Sequence, residues 1–205
     1  MCRDPFTMTT RAMTTRLLSV FISLLLLLNG GQAMALEEPS YEVLFERGTI
    51  EIRRYDPYLV AEFTAASPDA GNQAFRVLAG YIFGDNREQE KMKMTAPVES
   101  QGSEFAFVME SAYAMDTLPQ PNDDRIKLRE RPARTVAVAR FSGRWTDANV
   151  AKHERRLLDE LDNLGIETSG APILARYNSP FTPWFLRRNE IIVPVVIAAE
   201  SPASL

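Results

Sequence analysis

The chain has 205 residues, of which 45% are hydrophobic and 24% are charged. This composition is typical of a folded globular protein and excludes a disordered or fibrous one. The formal net charge of −4 argues against a nucleic-acid partner, because phosphate contacts need a basic surface. Cys2 is the single cysteine, so the sequence predicts no intrachain disulfide.

The first 35 residues have the pattern of a secretory signal peptide. Arg11 and Arg16 precede an apolar run from Leu17 to Leu28, and an Ala-Met-Ala sequence ends at Ala35. A basic flank, a short apolar run and an A-x-A site favour cleavage by signal peptidase. The run is shorter than the roughly 20 residues of a spanning helix, and an uncleaved anchor is the alternative. We predict a signal peptide over residues 1–35, a domain over residues 36–205 without membrane attachment, and export to the periplasm or medium.

The remaining chain alternates between predicted strands and two predicted helices. The first helix begins at Ser67-Pro68-Asp69, whose residue types are typical of a helix start, and continues to about Phe83. The second begins near Thr146 or Asp147 and ends before Gly165. Strands are predicted from alternating or apolar runs over Tyr41–Phe45, Ile50–Arg53, Tyr58–Phe63, Met92–Val98, Glu104–Glu110, Ile126–Arg129, Thr135–Phe141, Ile173–Tyr177 and Ile191–Ile197.

A short internal echo indicates a duplication. Ile50-Glu51-Ile52-Arg53 is followed by Val60-Ala61, and 76 residues later Ile126-Lys127-Leu128-Arg129 is followed by Val136-Ala137. Each copy leads into a helix and further strands. The pattern predicts a duplicated α+β unit with the helices on one side of an antiparallel sheet or distorted barrel, and a cleft between the halves.

The first predicted helix carries two adjoining apolar stripes. One stripe is enough to pack against a sheet. Either both stripes are buried in a wide core contact, or the second faces a ligand cleft. The first stripe consists of Gly71, Phe75, Leu78 and Ile82, and the second of Ala70, Ala74, Val77 and Tyr81.

Catalytic motifs do not stand out, and we expect a binding protein rather than an enzyme. The chain lacks a G-x-S-x-G elbow, a phosphate loop and a dinucleotide fingerprint. Its one histidine, His153, is either a half-buried structural residue or a metal ligand to heme iron. Glu190 follows Arg187 and Arg188 and opens an apolar strand. It either pairs with an arginine or projects into the cleft.

Several segments, in order, resemble the SOUL heme-binding family. The resemblance extends over essentially all of residues 36–205. Its most recognisable part is Tyr81–Asn86 followed by Lys91–Val98. The other matching segments are Ile50–Tyr55, Leu118–Pro121, Phe141–Gly143, Tyr177–Pro180 and Arg187–Glu190.

The resemblance implies a fold and a ligand. The fold is α+β, with duplicated βαβ-type repeats forming a distorted antiparallel β-barrel flanked by two helices. The ligand is heme or a porphyrin in an apolar cleft beside the first helix. The predicted contacts are Ala74, Phe75, Val77 and Tyr81, with Arg76 as a rim group for the propionates.

One position departs from the family pattern. A histidine proposed as an axial ligand in the opening strand is replaced here by Arg54, and arginine is not a usual iron ligand. A bound heme is therefore expected to be held by burial, or by His153, a tyrosine or a methionine elsewhere.

Two other functions stay open at this stage. The family fold is similar to that of GyrI-like small-molecule-binding domains, some of which use a cleft glutamate and some of which are hydrolases. In such a domain Glu190 would be the cleft glutamate. A protein-interaction module without a small ligand would instead lack a cleft lined by Val77, Tyr81 and Glu190.

Overall fold

The computed structural model describes residues 36–197, and the predicted signal peptide lies outside this range. Within it, no helix is both long enough and apolar enough to span a bilayer. Two short 3-10 helices, Pro68–Ala70 and Trp184–Leu186, accompany the regular elements. These elements are β1 Tyr41–Arg47, β2 Ile50–Tyr55, β3 Tyr58–Thr64, α1 Gly71–Ile82, β4 Val98–Gln101, β5 Glu104–Val108, β6 Ile126–Arg131, β7 Arg134–Phe141, α2 Asp147–Asn163, β8 Glu167–Thr168, β9 Ile173–Arg176 and β10 Asn189–Val196.

The strands form one antiparallel sheet that curls into a half-barrel. Nine strands follow the order β1-β2-β7-β10-β9-β4-β5-β3-β6, and β8 pairs with β10. Both α-helices pack on one face, α1 against β3 and β5 and α2 against β7 and β10. The predicted α+β fold, a distorted antiparallel barrel flanked by two helices, is confirmed.

The strand order consists of two halves related by a pseudo-twofold axis between β4 and β9. Ile50 pairs with Ala139 between β2 and β7, and Ile126 pairs with Phe63 between β6 and β3. Ile126 follows Ile50 by 76 residues, and Ala139 follows Phe63 by the same interval. The two pairs are therefore equivalent positions in the two repeats. The first residues of α1 and α2 are separated by the same interval. The sequence echo therefore corresponds to a duplication of the fold.

The second half contains an insertion between β9 and β10. Val60 pairs with Val108 in the first half, whereas the equivalent Val136 pairs with Pro194 in the second. The interval between Val108 and Pro194 is 86 residues rather than 76, so the second connection is ten residues longer. The insertion forms a loop beside the axis, and Phe181 on this loop is 94% exposed.

Each helix buries one face against its half of the sheet. Leu78 of α1 and Leu157 and Leu161 of α2 are completely buried. Burying a leucine side chain contributes about 1.5–3 kcal/mol of transfer free energy, so these contacts fix the helices on the sheet. The sheet side chains beneath α1 include Ala61, Phe63, Phe105 and Phe107, and those beneath α2 include Ile52, Ala137, Ile191 and Val193.

The helix boundaries follow local signals in the sequence. Gly84 follows α1 with φ of +108°, a conformation that glycine adopts without steric cost. The side chain of Thr146 accepts a hydrogen bond from the backbone N–H of Asn149 and caps α2. The first helix differs in detail from the prediction, because Pro68–Ala70 form a 3-10 turn before α1 begins.

The predicted strand from Met92 to Val98 is wrong except at its last residue. Its burial does not alternate as in a strand, because Thr95, Ala96 and Pro97 are buried in succession. Its backbone is also not paired with one strand. The N–H of Met92 donates to the carbonyl of Ile82, and the N–H of Ala96 donates to that of Glu37. The segment therefore links the end of α1 to the chain before β1 and does not join a strand ladder.

Candidate functional site

A cleft of about 620 Å³ opens on the helical face where the two repeats meet. Its floor is built by β4 and β9, which pair across the pseudo-twofold axis. Val98 and Ser100 come from β4, and Leu174 and Arg176 come from β9. These are equivalent pairs at the 76-residue interval, so both halves build the cleft. Its volume lies within the roughly 300–1,000 Å³ of typical small-molecule pockets.

The two helices form the walls. Asn72 and Phe75 lie on the cleft side of α1, whereas Val150, Ala151 and Glu154 lie along one face of α2, as helical spacing requires. The ring of Phe75 meets the ring of Phe107 edge-on, with centroids 5.3 Å apart. Phe75 remains 46% exposed, so its ring offers an apolar surface to a ligand.

Trp145 lies at the end of the cleft nearest the inserted loop. Its Nε1 donates a 2.6 Å hydrogen bond to Oδ1 of Asn189, and Nδ2 of Asn189 donates to the carbonyl of Gly143. The guanidinium carbons of Arg176 and Arg187 lie 5.4 Å and 4.2 Å from the centroid of the Trp145 ring. These contacts fix the orientation of the indole and place two cations beside it.

Phe75 is the one predicted ligand contact that lines this cleft. Ala74 and Tyr81 are completely buried, and Val77 packs against the same core cluster. The Tyr81 hydroxyl donates a 2.7 Å hydrogen bond to the carbonyl of Pro119. The second apolar stripe therefore faces the sheet rather than the cleft. Arg76 is exposed and is not among the cleft residues, and the predicted ligand contacts of all these residues stay predictions.

Glu190 lies on the opposite face of the sheet, because its neighbour Ile191 faces the cleft. Its carboxylate accepts hydrogen bonds from Arg53 at 2.9 and 3.2 Å, from the Tyr177 hydroxyl at 2.7 Å and from Arg188 at 3.0 Å. Burial alone would raise the pKa of Glu190, but Arg53 and Arg188 outweigh burial and lower it. The predicted alternative that Glu190 pairs with an arginine is confirmed.

His153 lies away from this cleft, in a separate hollow of about 410 Å³ lined in part by Phe141 and Arg156. Its ring stacks on Phe141 with centroids 4.3 Å apart and an interplanar angle of 15°. Burial, together with the charges of Lys152 and Arg156, lowers the pKa of His153. In the part of the chain that the structure describes, no group of three His, Cys, Asp or Glu side chains is arranged to hold a metal. Iron ligation by His153 stays a prediction.

Sequence reasoning missed Trp145, Ala151 and Arg176 as cleft residues. The signal that could have found them is the duplication, since a site on the axis must draw on both helices and both central strands. Applying the 76-residue interval to α1 and β4 leads directly to α2 and β9. The interval could not be applied to β4 from the sequence alone, because the strand predicted over Met92–Val98 contains only the first residue of β4.

Comparison with known proteins establishes the family. The family model described as SOUL heme-binding protein matches residues 36–194. The chain therefore belongs to the SOUL heme-binding protein family, and the resemblance found in the sequence is confirmed.

Among individual proteins, heme-binding protein 2 of Mus musculus is 28% identical over 196 residues, which cover 78% of this chain and 91% of that protein. The crystal structure of the EcmrR C-terminal domain is similar with a TM-score of 0.58 and 12% identity, covering 77% of this chain and 99% of that one. A hydrolase from Listeria innocua is similar with a TM-score of 0.50 and 10% identity, covering 74% and 94% respectively. At these identities the two structures show a shared fold alone.

Proposed function

We propose that this protein binds heme or another tetrapyrrole in the cleft between α1 and α2. The observation that carries the proposal is a cleft of about 620 Å³ on the axis of the fold, in a chain that belongs to a heme-binding family. The rings of Phe75 and Trp145 and the side chains of Leu174 and Ile191 give the cleft an apolar lining. A large planar ligand gains favourable free energy by burying its faces against such a surface.

The side chains of the cleft favour binding without iron ligation. Its lining within the described residues contains no histidine, cysteine, methionine or tyrosine, the usual protein ligands of heme iron. A macrocycle in the cleft is then held by its faces and edges. The iron-free ring should therefore bind with an affinity similar to that of heme.

The proposed biological role is that of an exported carrier or buffer. Support for export comes from the signal-like residues 1–35, and N-terminal sequencing of the protein recovered outside the cytoplasm should begin at Leu36. The alternative of a cation-binding or hydrolytic site at Glu190 has no support in the geometry, because that carboxylate is completely buried and bonded to two arginines and a tyrosine.

A titration of residues 36–205, which form one compact unit, tests the proposal. Heme binding is followed by the Soret band and iron-free protoporphyrin binding by its fluorescence. We expect saturable one-to-one binding of both, with similar affinities. Absence of saturable binding for both ligands would refute the proposal. Binding of heme alone would indicate an axial ligand and direct attention to His153→Ala.

A further inference from the structure

Arg176 lies on the floor of the cleft without a counter-charge. Its Nε is completely buried and has no hydrogen-bond partner. Among the described residues, no carboxylate lies within 4.0 Å of its guanidinium. Burial lowers the pKa of Arg176, and no neighbouring charge acts to raise it. Arginine nevertheless stays protonated in proteins, so the floor carries an unpaired positive charge.

The duplication shows that this charge is particular to one half of the cleft. The equivalent of Arg176 in the first repeat is Ser100, 76 residues earlier, and both side chains line the cleft. The equivalent pair beside them, Val98 and Leu174, is apolar in both halves. The fold therefore does not require an arginine at this position.

An unpaired, partly buried guanidinium is unfavourable for folding. Removing a charge from water costs free energy unless an opposite charge or hydrogen bonds replace the lost hydration. The contact with the Trp145 ring supplies a part of that replacement. A ligand acid group placed beside Nε would supply the rest.

Three carboxylates also line the cleft, and they make its opening acidic. Asp69 and Asp147 are exposed and Glu154 is half-buried. Water and salt screen charges at such positions more strongly than the charge on the floor. The opening therefore disfavours an acid group that remains near the surface, and the floor favours one that reaches Arg176.

We propose that Arg176 pairs with a carboxylate of the ligand, so that the cleft prefers planar apolar acids to their neutral esters. For a tetrapyrrole the group would be a propionate, and in that form the inference rests on the proposed function. It assigns the acid contact to Arg176 on β9 rather than to Arg76 on α1.

The test compares protoporphyrin with its dimethyl ester, which has the same ring without the free acids. A charge-assisted, hydrogen-bonded pair is expected to give wild-type protein about a tenfold or greater preference for the acid. Arg176→Met should remove this preference, and the matched control Arg76→Met should retain it. Arg176→Met should also unfold at an equal or higher temperature than wild type, because it removes an unpaired buried charge.

Equal affinity of wild-type protein for the acid and the ester, or a preference that survives Arg176→Met, would overturn this inference while leaving tetrapyrrole binding intact. Failure of the wild-type protein to bind either porphyrin would refute the proposed function. Arg176 would then be tested with pyrenebutyrate and its methyl ester. A preference for that acid which Arg176→Met abolishes would support the acid subsite, and no preference would refute it.

Discussion

Glu190 is a completely buried carboxylate that accepts hydrogen bonds from Arg53, Tyr177 and Arg188. Arg53, its main partner, is 2% exposed and donates two hydrogen bonds to the carboxylate. Glu190→Gln removes the completely buried counter-ion of this guanidinium and leaves Glu51, whose carboxylate lies 2.7 Å from Nε of Arg53 and is partly exposed. Breaking a buried ion pair from one side costs about 3–5 kcal/mol, and because Glu51 remains we expect a loss near the lower end of that range in the free energy of unfolding measured with urea.

The matched control is Glu154→Gln, at a half-buried carboxylate in the wall of the cleft. It should change the free energy of unfolding by no more than about 0.5 kcal/mol. A Glu190→Gln protein as stable as this control would show that the carboxylate does not neutralise Arg53.

His153 should make stability depend on pH near neutrality. Its pKa in the folded protein is lowered from the ordinary value of 6.5, so the unfolded chain takes up a proton at a higher pH than the folded one. The contribution of His153 to the free energy of unfolding is therefore complete above pH 6.5. It is lost as the pH falls from 6.5 through the lower pKa of the folded protein.

The histidine is the only one in the chain, so its contribution can be isolated. His153→Phe preserves an aromatic ring for stacking on Phe141 and removes the titration. Urea unfolding between about pH 5.5 and 8 should show a smaller loss of stability on the acidic side for the variant. Parallel pH profiles would contradict the burial-induced shift.

Substitutions on two faces of α1 should affect heme affinity and the stability of the fold separately. Phe75→Asp alters the cleft face and gives up an aromatic pair worth about 0.5–1.5 kcal/mol, so the protein should fold and bind heme at least about tenfold more weakly. Leu78→Ala alters the core face, where the side chain is completely buried. It should cost about 2–5 kcal/mol of stability with little change in affinity.

Heme titration and urea unfolding of both variants distinguish the two faces. Unchanged heme affinity in Phe75→Asp would show that this face of α1 does not contribute to the binding site. Comparable loss of affinity in a folded Leu78→Ala protein would mean that the core face, which also carries the predicted ligand contacts Ala74 and Tyr81, takes part in binding.

Most elements could be predicted because local periodicity determines them. Strands such as Ile50–Tyr55 and the start of α2 follow from alternation and capping residues. The segment from Met92 to Pro97 shows the limit of that reasoning, because its apolar residues Met92 and Ala96 are buried while its backbone hydrogen bonds go to different parts of the chain rather than to one strand. The two-residue strand β8 is too short to leave a periodic signal.

The whole molecule explains why the candidate site was only partly predictable. The resemblance and the helical stripes led to one helix, whereas the cleft lies between two equivalent helices. Arg53 and Glu190 are 137 residues apart, and only the pairing of β2, β7 and β10 brings them together. Contacts of this kind depend on the order of strands in the sheet, which a single sequence does not specify.

The most direct test of the cleft as the tetrapyrrole site is to block it with a bulky side chain on α2. Ala151 is half-buried and lines the cleft, whereas Ala148 lies on the same helix, is exposed and does not. Heme titration of Ala151→Trp and Ala148→Trp therefore compares the same bulky substitution inside and outside the cleft. We predict that Ala151→Trp loses saturable binding while remaining folded and that Ala148→Trp binds like wild type. An Ala151→Trp protein with wild-type affinity would contradict the assignment of the cleft.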